Sequence, residues 1–182
     1  MPLSAPAKRE HLHTRDIESQ GFRREDGLWD IEAHIIDVKS YEIESDWRGT
    51  VVPGEPIHDM RVRLTLDDDL CIQAVETAFD TTPYELCPSA GKSFQNLVGV
   101  RIGPGWIRQV KAYVGGNQGC THVRELMSVV ATVAFQTIFS VREKEIMAAG
   151  DIKPPMLDSC VSWAATSPVV KDQYPHWYTG DE

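Results

Sequence analysis

The chain has 182 residues, of which 42% are hydrophobic and 25% charged, the balance of a globular protein rather than of a disordered or membrane-embedded one. At this length one domain is expected, burying about 70% of the surface its unfolded chain exposes. Eighteen basic against 27 acidic residues leave a net charge of -9, which opposes binding to nucleic acid or anionic lipid.

The first residues, Met1-Pro2-Leu3-Ser4-Ala5-Pro6, lack a basic segment followed by an apolar stretch, so a cytoplasmic location is expected. Residues 1–9 read as a loose arm. From 10 to 80 the pattern is that of a β-meander. Asp26-Gly27 is a hairpin signal, and the strand after it alternates with Trp29, Ile31, Ala33 and Ile35 on one face and Asp30, Glu32 and His34 on the other. At Ile35-Ile36 the alternation slips, passing the apolar role to Ile36 and Val38, which predicts a bulge and a bent strand. Gly49, Pro53, Gly54 and Pro56 make Trp47 to Pro56 an irregular loop, a candidate lid. A third strand has Met60, Val62, Leu64 and Leu66 on one face, and a fourth runs from Leu70 to Phe79.

The period then changes. Residues 84–149 read as a helical half, with short helical segments before a long apolar helix that starts near Thr121. Its apolar positions 123, 126, 127, 130, 133, 134, 138 and 141 make a stripe wide enough to predict cover on more than one side. Residues 150–182, with Trp163, Tyr174, Trp177 and Tyr178, read as an extended strap wrapping the domain. The expectation is an α+β fold: a curved antiparallel sheet of about four strands packed on a long buried helix, with short extra helices and that C-terminal strap.

The chemistry gathers around Gly115-Gly116-Asn117-Gln118-Gly119-Cys120-Thr121-His122. A glycine-rich turn entering a helix exposes backbone N–H groups; Cys120, His122 and Glu125 would bring a thiol, an imidazole and a carboxylate to that positive end. Cys120 and His122 read as an activated thiol or as half of a metal site with Cys87 or Cys160, against which stands a small buried Cys beside a capping His. The four cysteines have no paired spacing, so free thiols and no metal are expected. Arg61 and Arg63, on one strand face without an acidic partner in that strand, suit a phenolate or carboxylate, though surface arginines would read the same. His58-Asp59 could be an oriented acid–base pair or turn chemistry. Asp30, Glu32 and His34 could be a cluster or the solvated face of the sheet. Gln136, placed among apolar residues, must find hydrogen bonds and could reach a ligand. Lys39, Tyr41, Trp47 and Trp29 are candidates for binding a ring, with core packing the rival for the tryptophans.

Five strings together are distinctive: His13-Thr14-Arg15-Asp16-Ile17, Gly21 to Glu32, Ile57-His58-Asp59-Met60-Arg61-Val62-Arg63-Leu64, Gly119-Cys120-Thr121-His122, and Leu157-Asp158-Ser159-Cys160. On these the chain resembles the bacterial family catalogued as domain of unknown function 2889. It also looks like the phenylcoumaran γ-formaldehyde lyases of lignin-aromatic catabolism. That second resemblance implies a cofactor-independent lyase that releases a hydroxymethyl group of a small aromatic dimer as formaldehyde and leaves a stilbene. A base would take a phenol or alcohol proton and a cation would steady the phenolate. A thiol-dependent hydrolase or transferase using Cys120, and a non-catalytic small-molecule-binding or assembly protein, are the alternatives. Homodimerisation is left open.

Overall fold

The computed structural model describes residues 3–148 and 152–181. The chain packs as two compact units, Met1–Ile138 and Phe139–Glu182.

In the first unit, strands β1 (His13–Arg23), β2 (Trp29–Lys39), β5 (Pro56–Leu66) and β6 (Ile72–Thr81) form an antiparallel sheet in the order β1-β2-β5-β6. This is the expected meander. Between β2 and β5 the presumed irregular loop contains a small hairpin of its own, β3 (Ile43–Ser45) paired with β4 (Gly49–Val51). The alternation along β2 does not slip where the apolar residues do. Trp29, Ile31, Ala33, Ile35 and Asp37 all sit on the buried face, and the register shift falls between Asp37 and Val38. Ile36 and Val38, expected to take over the apolar face, are only half-buried. Strand period, not side-chain polarity, decided the face.

Across the meander comes a string of 3₁₀ turns over Cys87–Leu97, helix α1 (Trp106–Val114) and the long helix α2 (Thr121–Ala148). Val123, Leu126, Met127, Val130, Ala134 and Ile138 are almost fully buried, in one core with Ile31, Ile35, Met60, Val62 and Leu64 of the sheet. α2 is long and apolar enough by composition to span a membrane; this buried stripe makes it a core helix. The stripe occupies one face, however, and Ser128, Thr132 and Gln136 are exposed, so the helix is not covered all round as its composition suggested. Trp106 locks α1 to it by donating from Nε1 to the carbonyl of Met127 at 2.8 Å.

The contact between α2 and β1 needs a glycine: a Cβ on Gly21 would lie 2.0 Å from Oγ1 of Thr137. The helix therefore lies against the sheet with Thr137 over one end of β1. Its first turn reaches the other end, where Arg15, Asp37 and His58 stand.

In the second unit, the stretch expected as an extended strap forms turns and a short helix, α3 (Pro168–Gln173). Ser167 starts α3 by accepting the N–H of Val170 at 3.2 Å, and Asp158 accepts the N–H of Ala165 at 2.9 Å. Phe139, Met156, Leu157 and Val170 are among its buried apolar side chains.

Candidate active site at the start of the long helix

Registry builds the site. Arg15 on β1 pairs with Asp37 on β2, and Asp37 pairs with His58 on β5, so three polar side chains form one row across the mainly apolar inner face of the sheet. Asp37 is fully buried. A buried carboxylate must be paired, and this one is paired from several directions. The Arg15 guanidinium donates Nε to Oδ1 and a terminal NH₂ to Oδ2, both at 2.8 Å. His58 Nδ1 lies 2.9 Å from Oδ2, His13 Nε2 lies 3.1 Å from Oδ1, and His122 Nε2 lies 3.8 Å from Oδ2. Arg15 is held on its far side by Glu125.

The start of α2 supplies the remaining side. His122 stacks on His58 with ring centroids 3.7 Å apart and planes at 33°. Gly119 lets the chain turn into the helix, because a Cβ there would meet the carbonyl oxygen of Val114 at 2.4 Å. Cys120 then sits just before the helix, its sulfur accepting backbone N–H groups of Val123 and His122 and lying 3.7 Å from Sδ of Met60 and 3.9 Å from Nδ1 of His122.

The electrostatics follow from burial and the guanidinium. Burial pushes the Asp37 carboxyl up, but the hydrogen bonds and charge of Arg15, with His58 and His122 beside it, more than offset this and hold it below its ordinary value. His58 is pushed down to about 4, first by burial and then by the neighbouring His122. His122 is pushed down by burial and by Arg15. At neutral pH the arrangement is an ionised carboxylate bound by an arginine, with two neutral imidazoles stacked beside it. His58, its Nδ1 hydrogen-bonded to Asp37, can take up a proton at Nε2; His122 and Arg15 can face a developing negative charge. Burial also pushes the Cys120 thiol up despite the two N–H groups on its sulfur, away from the thiolate that a nucleophile needs. Asp37, His58 and His122 each bring one donor atom within 4.8 Å of the others, so these three could hold a metal ion.

Of the residues read from the sequence, His58, His122, Glu125 and Cys120 come together here. His58 and Asp59 are not a pair. Adjacent strand residues point to opposite faces, so the imidazole of His58 meets Asp37 while Asp59 meets His34 on the outer face at 2.6 Å. Arg61 and Arg63 also lie on that outer face. Arg61 bonds Asp80 at 3.0 Å, and Arg63 bonds Glu32 at 2.7 Å and Glu76 at 3.3 Å; the acidic partners absent from their own strand come from its neighbours. With Glu18, Gln20 and His34 they line a shallow concavity of about 250 Å³, on the opposite side of the sheet from the cluster. Trp29 is core at the far end of β2, its indole N–H bonded to Asp68 at 2.9 Å. Gln136 is exposed, contrary to its expected burial. Tyr41 and Trp47 are about half exposed, with Lys39 over the Tyr41 ring at 5.7 Å. They belong to the segment that joins β2 to β5, at the same end of the sheet as Asp37 and His58.

His13, Arg15 and Asp37 were not singled out from the sequence. The signal for Asp37 was present: it continues the 29-31-33-35 phase, and a charged residue in the buried phase of a strand demands partners.

A family model described as "Protein of unknown function (DUF2889)" matches residues 13–136. No curated protein and no solved structure matches the chain. The matched stretch spans the sheet and the first half of α2, and so contains every residue of the cluster.

Proposed function

We propose that this chain, which belongs to the DUF2889 family, is a cytoplasmic lyase that removes the hydroxymethyl group of a lignin-derived aromatic dimer as formaldehyde and leaves a stilbene. The observation that supports the reading is the pairing of neutral His58 with buried, arginine-bound Asp37 beside the start of α2. The substrate class comes from the separate likeness to lignin-aromatic lyases, which rests on no particular string of residues.

In a phenylcoumaran substrate His58 accepts the proton of the primary hydroxyl. The bond from the hydroxymethyl carbon to its neighbour breaks, and the oxygen electron pair makes the carbonyl of formaldehyde. The released pair forms the new carbon–carbon double bond and expels the ring-ether oxygen as an aryloxide. The proton held by His58 returns to that oxygen, so the reaction is a fragmentation without net oxidation. Asp37 steadies the imidazolium formed in between, and Arg15 and His122 supply positive charge and a hydrogen-bond donor toward the aryloxide. Arg15 thus takes the role that the sequence suggested for Arg61 or Arg63. Tyr41 and Trp47 offer ring surfaces for the second aromatic group.

Incubation of the purified protein with a panel of phenylcoumaran and diarylpropane dimers, following formaldehyde and stilbene absorbance, tests this. Turnover that disappears in His58→Gln, with the fold retained, is the expected result. Saturable binding of the dimers without turnover would favour a binding protein.

A further inference from the structure

The geometry points to a second capacity of the cluster: binding of a divalent transition metal such as zinc through Asp37, His58 and His122. The inference uses the location of the proposed active site but not its chemistry.

Zinc takes imidazole nitrogens and carboxylate oxygens at about 2.0–2.2 Å in tetrahedral geometry, which separates neighbouring donor atoms by about 3.3 Å. The two separations to the shared carboxylate oxygen lie on either side of that value: His58 Nδ1 to Asp37 Oδ2 is 2.9 Å and His122 Nε2 to the same oxygen is 3.8 Å. All three donor atoms lie within 4.8 Å of one another. The two imidazoles are stacked with their planes at 33°, so both would turn about their side-chain bonds to aim at one ion. The donors come from β2, β5 and the first turn of α2, elements joined through one core, so the set is preorganised.

The rest of the surroundings is compatible with a cation. Arg15 holds both oxygens of Asp37, with Nε on Oδ1 and a terminal NH₂ on Oδ2 at 2.8 Å each, and His13 adds a contact to Oδ1. The contacts on Oδ1 are the outer support that a metal-bound carboxylate needs, and on Oδ2 the ion would take the place of the His58 hydrogen bond while Arg15 stays beside it. Glu125 on the far side of Arg15 offsets the guanidinium, so its charge does not stand alone against the ion. Three protein ligands leave a fourth position for water, the open arrangement of a non-structural site. The cysteine expected from the sequence is not among these ligands.

An ion held by Nδ1 of His58 breaks the hydrogen bond from that imidazole to Asp37, the bond that orients it as a proton acceptor. On the proposed reaction zinc is thus an inhibitor.

The test uses the full chain, stripped with a chelator and dialysed. Zinc is titrated by calorimetry, and cobalt by its visible absorption, against the parent protein, His122→Ala and His58→Ala, with the fold of each checked by circular dichroism. One ion per chain, a tetrahedral cobalt spectrum, and a loss of affinity of about 10–100-fold or more in both variants are expected. No saturable binding, or binding unchanged in both variants, overturns the proposal. Turnover of the aromatic dimers separates this from the proposed function. Activity kept on stripping and suppressed by zinc supports both. Activity lost on stripping and restored by zinc keeps the metal site and overturns its inhibitory role and the metal-free proton transfer. Activity without any metal binding keeps the lyase and removes the site.

Discussion

Asp37 and His58 face each other directly across β2 and β5, with Nδ1 of the imidazole 2.9 Å from Oδ2 of the carboxylate. Both stand in the buried phase of their strands, His58 in step with Met60, Val62 and Leu64. Replacing His58 by Gln removes the proton acceptor while keeping an amide that can bond Asp37. Turnover should fall about 10²–10⁴-fold, the range for a positioned acid–base group, with little change in the thermal midpoint. Equal loss of rate and of folded protein would assign His58 a structural role.

The depressed His58 pKa gives a pH dependence with a defined sign. Because the folded value, about 4, lies below the ordinary 6.5, the unfolded chain takes up a proton that the folded chain refuses between these values. Stability contributed by neutral His58 is therefore complete above about pH 6.5 and declines as pH falls toward 4, by about 3 kcal/mol at most. Denaturant unfolding of the parent and His58→Gln between pH 4 and 7 measures this: the parent should lose more stability over that window. Turnover in the free enzyme should persist well below pH 6 for the same reason. A rate that drops with a midpoint near 6.5 would show that His58 is not the group that must be neutral.

Arg15 and Arg61 make a sharp comparison because they lie on opposite faces of one sheet. Arg15→Ala leaves the Asp37 carboxylate buried without its guanidinium, and should cost about 3–5 kcal/mol of stability as well as activity. Arg61→Ala breaks an exposed pair with Asp80 and a looser contact with the partly buried Asp59 at 3.8 Å, worth about 0–1 kcal/mol, and should leave turnover within a few-fold of the parent. A loss of 10²-fold in Arg61→Ala, with normal melting, would return the chemistry to the outer face.

Two substitutions probe how the helix is set against the sheet. Val130→Asp puts an unpaired carboxylate at a position with no exposed surface, a penalty of several kcal/mol against a total stability of about 5–15 kcal/mol. The domain should be unfolded or insoluble. Gly21→Ala drives a methyl group into Thr137 and should cost about 1–3 kcal/mol, with partial recovery when Thr137→Ala removes the hydroxyl. Unchanged melting of Gly21→Ala would mean that β1 and α2 do not approach so closely.

Much of the fold follows from local pattern. The alternation from Trp29 to Ile35, the turn residues at Asp26-Gly27, and the 3.6-residue stripe from Val123 to Ile138 depend only on which side chains avoid water, so strands, helix and their mutual packing could be read in one dimension. The helix start followed likewise from glycines that permit the turn, and with it the placing of Cys120, His122 and Glu125. The faces of residues outside the apolar pattern did not follow. Ile36 and Val38 suggested a slip, whereas the unbroken period of β2 puts Asp37 in the buried phase, a place that only the partners from β1 and β5 make tolerable. Gln136 was surrounded by apolar residues in sequence, yet the helix turns it outward. Arg61 and Arg63 seemed unpartnered because Glu32, Glu76 and Asp80 lie on neighbouring strands. The cluster itself joins residues 15, 37, 58 and 122, and no local rule links them. Register across three strands and the crossing of α2 over their ends decide that Arg15 neutralises Asp37 and that His58 meets Asp37 rather than Asp59, because a carboxylate in an apolar face is tolerated only where the tertiary structure delivers its partners.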